Sequence, residues 1–291
     1  MSRTLLISWS LAGLAALSLA CSDSAADAAA GLEPPAAVAE VAGPPLTIDF
    51  AKRDVPYVPT PQPVVDRMLE LAEVGPDDLL YDLGSGDGRI VIAAARRGAR
   101  GVGIDIDPER IAEANGNAEQ AGVTDRVRFV EGDLFEADVH DATAVTLYLL
   151  RSVNRRLRPR LLEQLRPGTP IVSHDFDMTE WTPDAYEKLG RSEIYLWIVP
   201  AKVDGRWSWK GPDGREQTVL VEQEFQKLTA EANDAEIDEP LLRGDRISFV
   251  LRTHDGRSVQ RYEGTVKGTL IEGRVSLDGG PFAPWRAVIA S

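Results

Sequence analysis

Apolar positions change their rhythm along this chain. Leu79-Leu80-Tyr81-Asp82-Leu83 is a short apolar run that stops at Gly84, and it predicts a buried parallel strand. Ile90 to Arg97 carries apolar residues at helical spacing. Gly101 to Asp105 reads as a second strand. Asp107-Pro108 then opens a helix, with Asp107 as N-cap and Pro108 at the first helical position, and Gly122 closes it. Val127 to Val130, Ala142 to Leu149 and Pro170 to Ser173 read as further strands, with a helix around Asn154 to Leu165 between the last two. Strand alternating with helix predicts an α/β fold with a doubly wound, mostly parallel Rossmann-like sheet. Ligands of such sheets sit beyond the C-terminal ends of the strands.

After Ile194 the period shortens toward two. Ile194 to Val199 is strongly β, and Trp207-Ser208-Trp209 is expected to pair with it as a closing antiparallel hairpin. Ile247, Phe249 and Leu251 alternate with polar residues, and Asp255-Gly256 predicts a hairpin turn. Tyr262, Val266, Ile271 and Val275 continue short strands between Gly264, Gly268 and Gly273, and a last strand lies near Trp285 to Ile289. This reads as a small antiparallel all-β meander, a barrel or a sandwich. The expected division is residues 46–203 for the first domain and 204–291 for the β domain.

The start of the chain has the pattern of an export signal. Arg3 precedes an apolar stretch from Leu5 to Ala20, and the only cysteine, Cys21, follows it directly. Residues 1–21 are thus expected to be a signal peptide resembling a bacterial lipobox, with Ser18 where Leu is usual. A plain secretory peptide is the competing reading. With a lipid on Cys21, the protein is expected to be exported and anchored on the periplasmic side of the cell envelope. Residues 22–45, rich in Ala, Pro, Asp and Glu, read as a tether.

Charge narrows the chemistry. The chain carries 32 Lys and Arg against 46 Asp and Glu, for a net charge of -14. That balance argues against nucleic acid and suits a cationic partner. One cysteine and three scattered histidines offer no metal-ligand spacing. A monomer is expected.

The candidate chemistry lies at three strand ends. Asp82-Leu83-Gly84-Ser85-Gly86-Asp87-Gly88-Arg89 joins the first strand to its helix. A dinucleotide fingerprint would place a third glycine where Arg89 stands. Asp82 would repel a pyrophosphate but suits a cation. Asp105 ends the second strand 23 residues later, where an acid can accept both hydroxyls of a ribose. Gly132-Asp133-Leu134 ends the third, where a carboxylate can accept from an adenine amino group.

Together these residues resemble the class I S-adenosylmethionine-dependent methyltransferases. Val55-Pro56-Tyr57-Val58-Pro59-Thr60-Pro61, ahead of the glycine turn, narrows the likeness. It resembles the lysine methyltransferases of the adenine-nucleotide translocase and the ATP synthase c subunit, with their bacterial relatives. Leu165-Arg166-Pro167-Gly168 resembles the turn before that family's fifth strand. The resemblance implies S-adenosylmethionine as cofactor, held by Asp82, Gly84, Ser85, Gly86, Asp105, Asp133 and Leu134, with Tyr57 and Thr60 closing over its methionine end. It implies a protein lysine as acceptor and an in-line displacement with no metal. Tyr148, at the end of the fourth strand, is the acceptor-side catalytic candidate; the competing reading is an ordinary buried tyrosine. His174 and Asp175, after the fifth strand, are secondary candidates. A basic run, Arg151, Arg155, Arg156, Arg158 and Arg160, reads as a solvated helix face. Export away from the cytosolic source of the cofactor leaves an alternative open: a binding protein with this fold and no turnover.

Overall fold

The computed structural model describes residues 58–253, 256 and 258–290. The export stretch, Cys21, the tether, Tyr57 and Asp255 lie outside the described residues. The elements of the first sheet begin with α1 (Gln62–Leu71), β1 (Leu79–Leu83), α2 (Arg89–Arg96), β2 (Arg100–Asp105) and α3 (Pro108–Ala121). They continue with β3 (Val127–Glu131), β4 (Ala144–Leu147), α4 (Arg151–Gln164), β5 (Pro170–His174), β6 (Ala185–Leu189) and β7 (Ser192–Ile198).

The strand order is β3-β2-β1-β4-β5-β7-β6. β1 pairs in parallel with both β2 and β4, so the chain reverses its winding direction there and opens a crevice beyond the strand ends. β1, β4 and β5 are apolar almost throughout because helices cover both faces. On one face Val64, Val65, Met68 and Leu69 of α1 pack with Ile90 to Ala95 of α2 and with Ala114 and Ala118 of α3. On the other, Val153, Leu157 and Leu161 of α4 pack with Leu147, Trp181 and Trp197.

The expected caps of α3 are present. Asp107 accepts from the backbone N–H of Glu109, and Gly122 ends the helix at φ 67°. The fourth strand stops at Leu147, leaving Tyr148 in the turn before α4. β7 does not pair with Trp207-Ser208-Trp209. Both of its edges are occupied, by β5 and by β6, which doubles back through Gly190 at φ 64°. β6 escaped the sequence pattern because Tyr186, Lys188 and Leu189 are exposed.

Trp207 and Trp209 belong instead to a second, eight-stranded sheet: β8 (Gly205–Lys210), β9 (Glu216–Glu224), β10 (Lys227–Ala232), β11 (Ala235–Arg243), β12 (Arg246–Thr253), β13 (Val259–Lys267), β14 (Leu270–Leu277) and β15 (Phe282–Ile289). Its order is β10-β9-β8-β15-β14-β13-β12-β11. β10 and β11, at the two ends of that order, lie side by side, so the sheet nearly closes into a barrel. Trp207, Trp209, Tyr262, Trp285 and Ile271 fill the inside. Trp209 donates to the Tyr262 hydroxyl at 3.0 Å and so satisfies its buried N–H.

Candidate active site

The glycine turn after β1 is built for close approach. Gly84, Gly86 and Gly88 all take positive φ, at 81°, 51° and 78°. A Cβ on Gly84 would lie 2.8 Å from the Leu149 side chain, on a left-handed backbone that favours glycine. Gly86 donates its N–H to Asp105 Oδ2 at 2.8 Å, and Asp107 donates its own to Asp105 Oδ1 at 3.0 Å. Asp105 thus ties the turn to the end of β2, a structural duty the sequence did not reveal. A carboxylate has lone pairs to spare beyond those two bonds.

Asp82 is buried at the end of β1 and accepts from the Thr146 hydroxyl at 2.8 Å. Burial pushes its carboxyl up to about 7, against the Thr146 bond, and the neighbouring charges of Asp105 and Asp87 push the same way. Asp87 is gripped by the Arg89 guanidinium through contacts of 2.6 to 3.0 Å. Arg89 Nη1 donates to the carbonyl of Thr60 at 2.9 Å. Arg89 therefore straps the segment before α1 onto the glycine turn. The sequence showed only that Arg89 replaces a glycine of the dinucleotide pattern.

Asp133 is exposed beyond β3 and accepts from the N–H of Phe135 at 2.8 Å, which makes it a turn residue as well as a strand-end acid. Leu134 packs on the core around α4. The Ser85 hydroxyl is buried and has no hydrogen-bond partner among the described residues.

The acceptor side lies past β4 and β5. The Tyr148 ring lies tilted against the His174 ring at 3.9 Å between centroids, and the Tyr148 hydroxyl is 3.4 Å from Asp175 Oδ2. His174 is buried. Its Nδ1 lies 3.2 Å from Thr60 Oγ1 and its Nε2 2.9 Å from Ser192 Oγ. Burial lowers the His174 imidazole against the pull of Asp175 and holds it neutral. Burial and the adjacent Asp175 carboxylate raise the Tyr148 phenol, which keeps its proton. Thr60, Tyr148, His174 and Asp175 therefore form one cluster, joined by Ser192, which the sequence did not single out.

Arg151, Arg155 and Arg156 of the arginine run are exposed, as on a solvated face, while several members of the run bond to the protein itself. Arg158 donates to the carbonyl of Met178 and to Glu180, Arg160 to the carbonyl of Ala137, and Arg151 pairs with Asp177. The Asn154 amide donates to Ser173 Oγ and to the carbonyls of Phe176 and Asp177. The bonds of Arg151, Asn154 and Arg158 pin the segment from Asp175 to Glu180 that walls the acceptor side.

A three-layer sheet with a glycine turn and acidic strand ends defines the class I fold of S-adenosylmethionine-dependent methyltransferases. Residues 82–185 match the family model described as the ANTKMT methyltransferase domain. A protein-lysine N-methyltransferase of Saccharolobus islandicus is 48% identical over 151 residues, which cover 50% of this chain and 94% of that protein. An ATP synthase c-subunit lysine N-methyltransferase of Mus musculus is 29% identical over 206 residues, covering 69% of this chain and 79% of that one. A solved structure of an RNA methyltransferase from Salinibacter ruber, in complex with S-adenosyl-L-homocysteine, is 64% identical. It covers 50% of this chain and 96% of that chain, with a TM-score of 0.50. The chain belongs to this methyltransferase family, and its cofactor is S-adenosylmethionine.

The residues present fit that cofactor. It carries a sulfonium and an ammonium, and the glycine turn lies among Asp82, Asp87 and Asp105, whose mutual repulsion a cation relieves. The unpartnered Ser85 hydroxyl and the close backbone at Gly84 are consistent with a ligand held against this turn.

Proposed function

We propose that this methyltransferase modifies the side-chain amine of a protein lysine. The carrying observation is the paired hydroxyl and carboxylate of Tyr148 and Asp175 at the acceptor side. Those groups suit an ammonium, whereas Arg151, Arg158 and Arg160 nearby are bonded to the protein's own carbonyls and carboxylates. The names of the Saccharolobus islandicus and Mus musculus relatives agree with this reading.

In it, Asp105 accepts from the ribose hydroxyls, while Asp133 and Leu134 border the adenine. Asp82, Gly84, Ser85 and Gly86 face the methionine end, with Thr60 and Tyr57 closing over it. S-adenosylmethionine supplies an activated methyl group for direct displacement. The chain's own work is to orient the amine, exclude water and remove a proton.

The name of the Salinibacter ruber relative, an RNA methyltransferase, supports RNA as the second reading. Methyl-labelled S-adenosylmethionine, given with total protein and total RNA from cells lacking this chain, separates the two. Label recovered as methyl-lysine is expected. Label confined to RNA would replace the lysine reading, and cofactor binding with no label in either would favour a binding protein.

We also propose a lipid on Cys21, on the pattern of the export stretch. Cys21→Ser is expected to abolish fatty-acid labelling in cells, and equal labelling of both forms would refute the anchor.

A further inference from the structure

The cluster beneath Tyr148 contains a base that orientation alone does not require. His174 is buried at the end of β5, beside a loop that keeps one acid at its mouth. That acid, Asp175, sits at φ 60°, a left-handed backbone costly for any residue but Gly, Asn and Asp. Its Oδ1 accepts the backbone N–H of Glu193 at 2.8 Å, and its Oδ2 lies 3.4 Å from both Tyr148 Oη and His174 Nε2.

We propose that Asp175 and His174 form a two-residue proton path that makes the acceptor amine nucleophilic. The inference rests on the lysine reading above. Asp175 is the residue that touches the acceptor ammonium, and His174 acts through it. An ammonium N–H bond breaks, the electron pair stays on nitrogen, and the proton passes by way of Asp175 Oδ2 to His174 Nε2, where the Ser192 hydroxyl turns from donor to acceptor. After methyl transfer the proton returns through Asp175 to water, since the Asp175 side chain is 31% exposed.

The imidazolium formed on the way is fully partnered. Thr60 Oγ1 stands at Nδ1, Ser192 Oγ at Nε2, and the Asp175 carboxylate supplies the countercharge. Tyr148 is not the base, because its phenol is pushed further from ionisation by burial and by Asp175. The other charged groups around the path are engaged elsewhere. Glu193 of β7 accepts from the hydroxyls of Tyr186 and Tyr195, Asp177 pairs with Arg151, and Arg89 lies behind Thr60 on Asp87. Burial keeps the imidazole neutral and so free to accept a proton in transit, and the carboxylate beside it offsets part of the cost of that charge.

The test is the pH dependence of methyl-lysine formation, with total protein from cells lacking this chain as acceptor. The wild type is expected to lose rate as pH falls through the ionisation of His174. Asp175→Asn keeps the left-handed backbone, which Asn tolerates, and is expected to lower the rate about 100-fold and erase that acidic limb. His174→Gln is expected to do the same. Both should keep cofactor affinity within twofold by calorimetry. An unchanged acidic limb in Asp175→Asn overturns the proposal even if His174→Gln fails to fold. If the wild type labels lysine and the variants keep its profile, the proton path alone is wrong. If the wild type labels no lysine, the lysine reading falls and takes the path with it.

Discussion

At Asp82, burial and charge oppose each other. A folded-state carboxyl raised to about 7 holds its proton over a range where the unfolded chain has lost it. The unfolded state then binds fewer protons, so this group's contribution to stability declines as pH rises from about 4 to about 7. Relative to the wild type, Asp82→Asn should flatten that part of the melting-temperature profile of the cofactor-free protein. The cation runs the other way: its binding draws the proton off Asp82, so wild-type affinity for S-adenosylmethionine should climb between pH 5 and pH 7. Asp82→Asn should show little slope, and calorimetry at several pH values reads both. Asp105 has two tasks, because it holds Gly86 and faces the ribose side. Asp105→Ala should cost about 1–3 kcal/mol of cofactor affinity. Asp105→Asn should cost less, since its amide oxygen still accepts from Gly86. Equal losses in the two would mean that charge, not acceptor geometry, sets the contribution.

Among the elements, those with strong local signals were readable in advance. β1, β2 and α3 are fixed by apolar runs, by Asp107 and Gly122, and by the glycine turn. So were the acidic strand ends, because a doubly wound sheet dictates where they lie. What stayed hidden depends on partners distant in sequence. α1 follows a proline-rich stretch that reads as extended, yet Val64, Val65, Met68 and Leu69 bury against α2 and make a helix worthwhile. Ser192 enters the site only because β7 runs antiparallel beside β5 and sets Ile194 opposite His174. Arg89 likewise acquires its meaning from Thr60, 29 residues earlier. Arg89→Ala removes the guanidinium that grips the buried Asp87 carboxylate and releases the segment before α1. It should cost about 1–3 kcal/mol of stability in a denaturant titration and weaken cofactor binding at the methionine end. Wild-type affinity in a folded Arg89→Ala protein would show that the strap is not needed there.

On the scale of the whole molecule, the barrel touches the catalytic sheet through the β9–β10 turn. Phe225 stacks on Trp181 at 5.6 Å between centroids, and Gln226 accepts from Trp181 Nε1 at 2.9 Å while donating to the Thr182 carbonyl at 2.6 Å. Trp181 is fully buried and directly follows the segment that walls the acceptor side. Phe225→Ala should therefore raise KM for the protein acceptor and leave cofactor affinity unchanged, in initial-rate and calorimetric measurements. Equal change in both would mean that the turn supports the entire site. A shortened chain must end near Val203, because a cut after Trp209 strands β8 without β9 and β15. Such a fragment should still bind cofactor but expose the Trp181 face.

The seam between β8 and β15 has a kinetic consequence. Every other ladder of that sheet joins neighbours in sequence, whereas this one pairs Trp207 with Ile289 and Ser208 with Val288. Hairpins form in about 1–10 μs, but closing a chain of this length carries a larger entropic cost before any contact rewards it. The seam should thus close late in refolding. Until it does, Trp207 and Trp209 are denied the cover of β15 while the other hairpins are already in place. A nascent or refolding chain passes through a stage with two indoles facing water, and that stage sets how readily it aggregates or engages a chaperone.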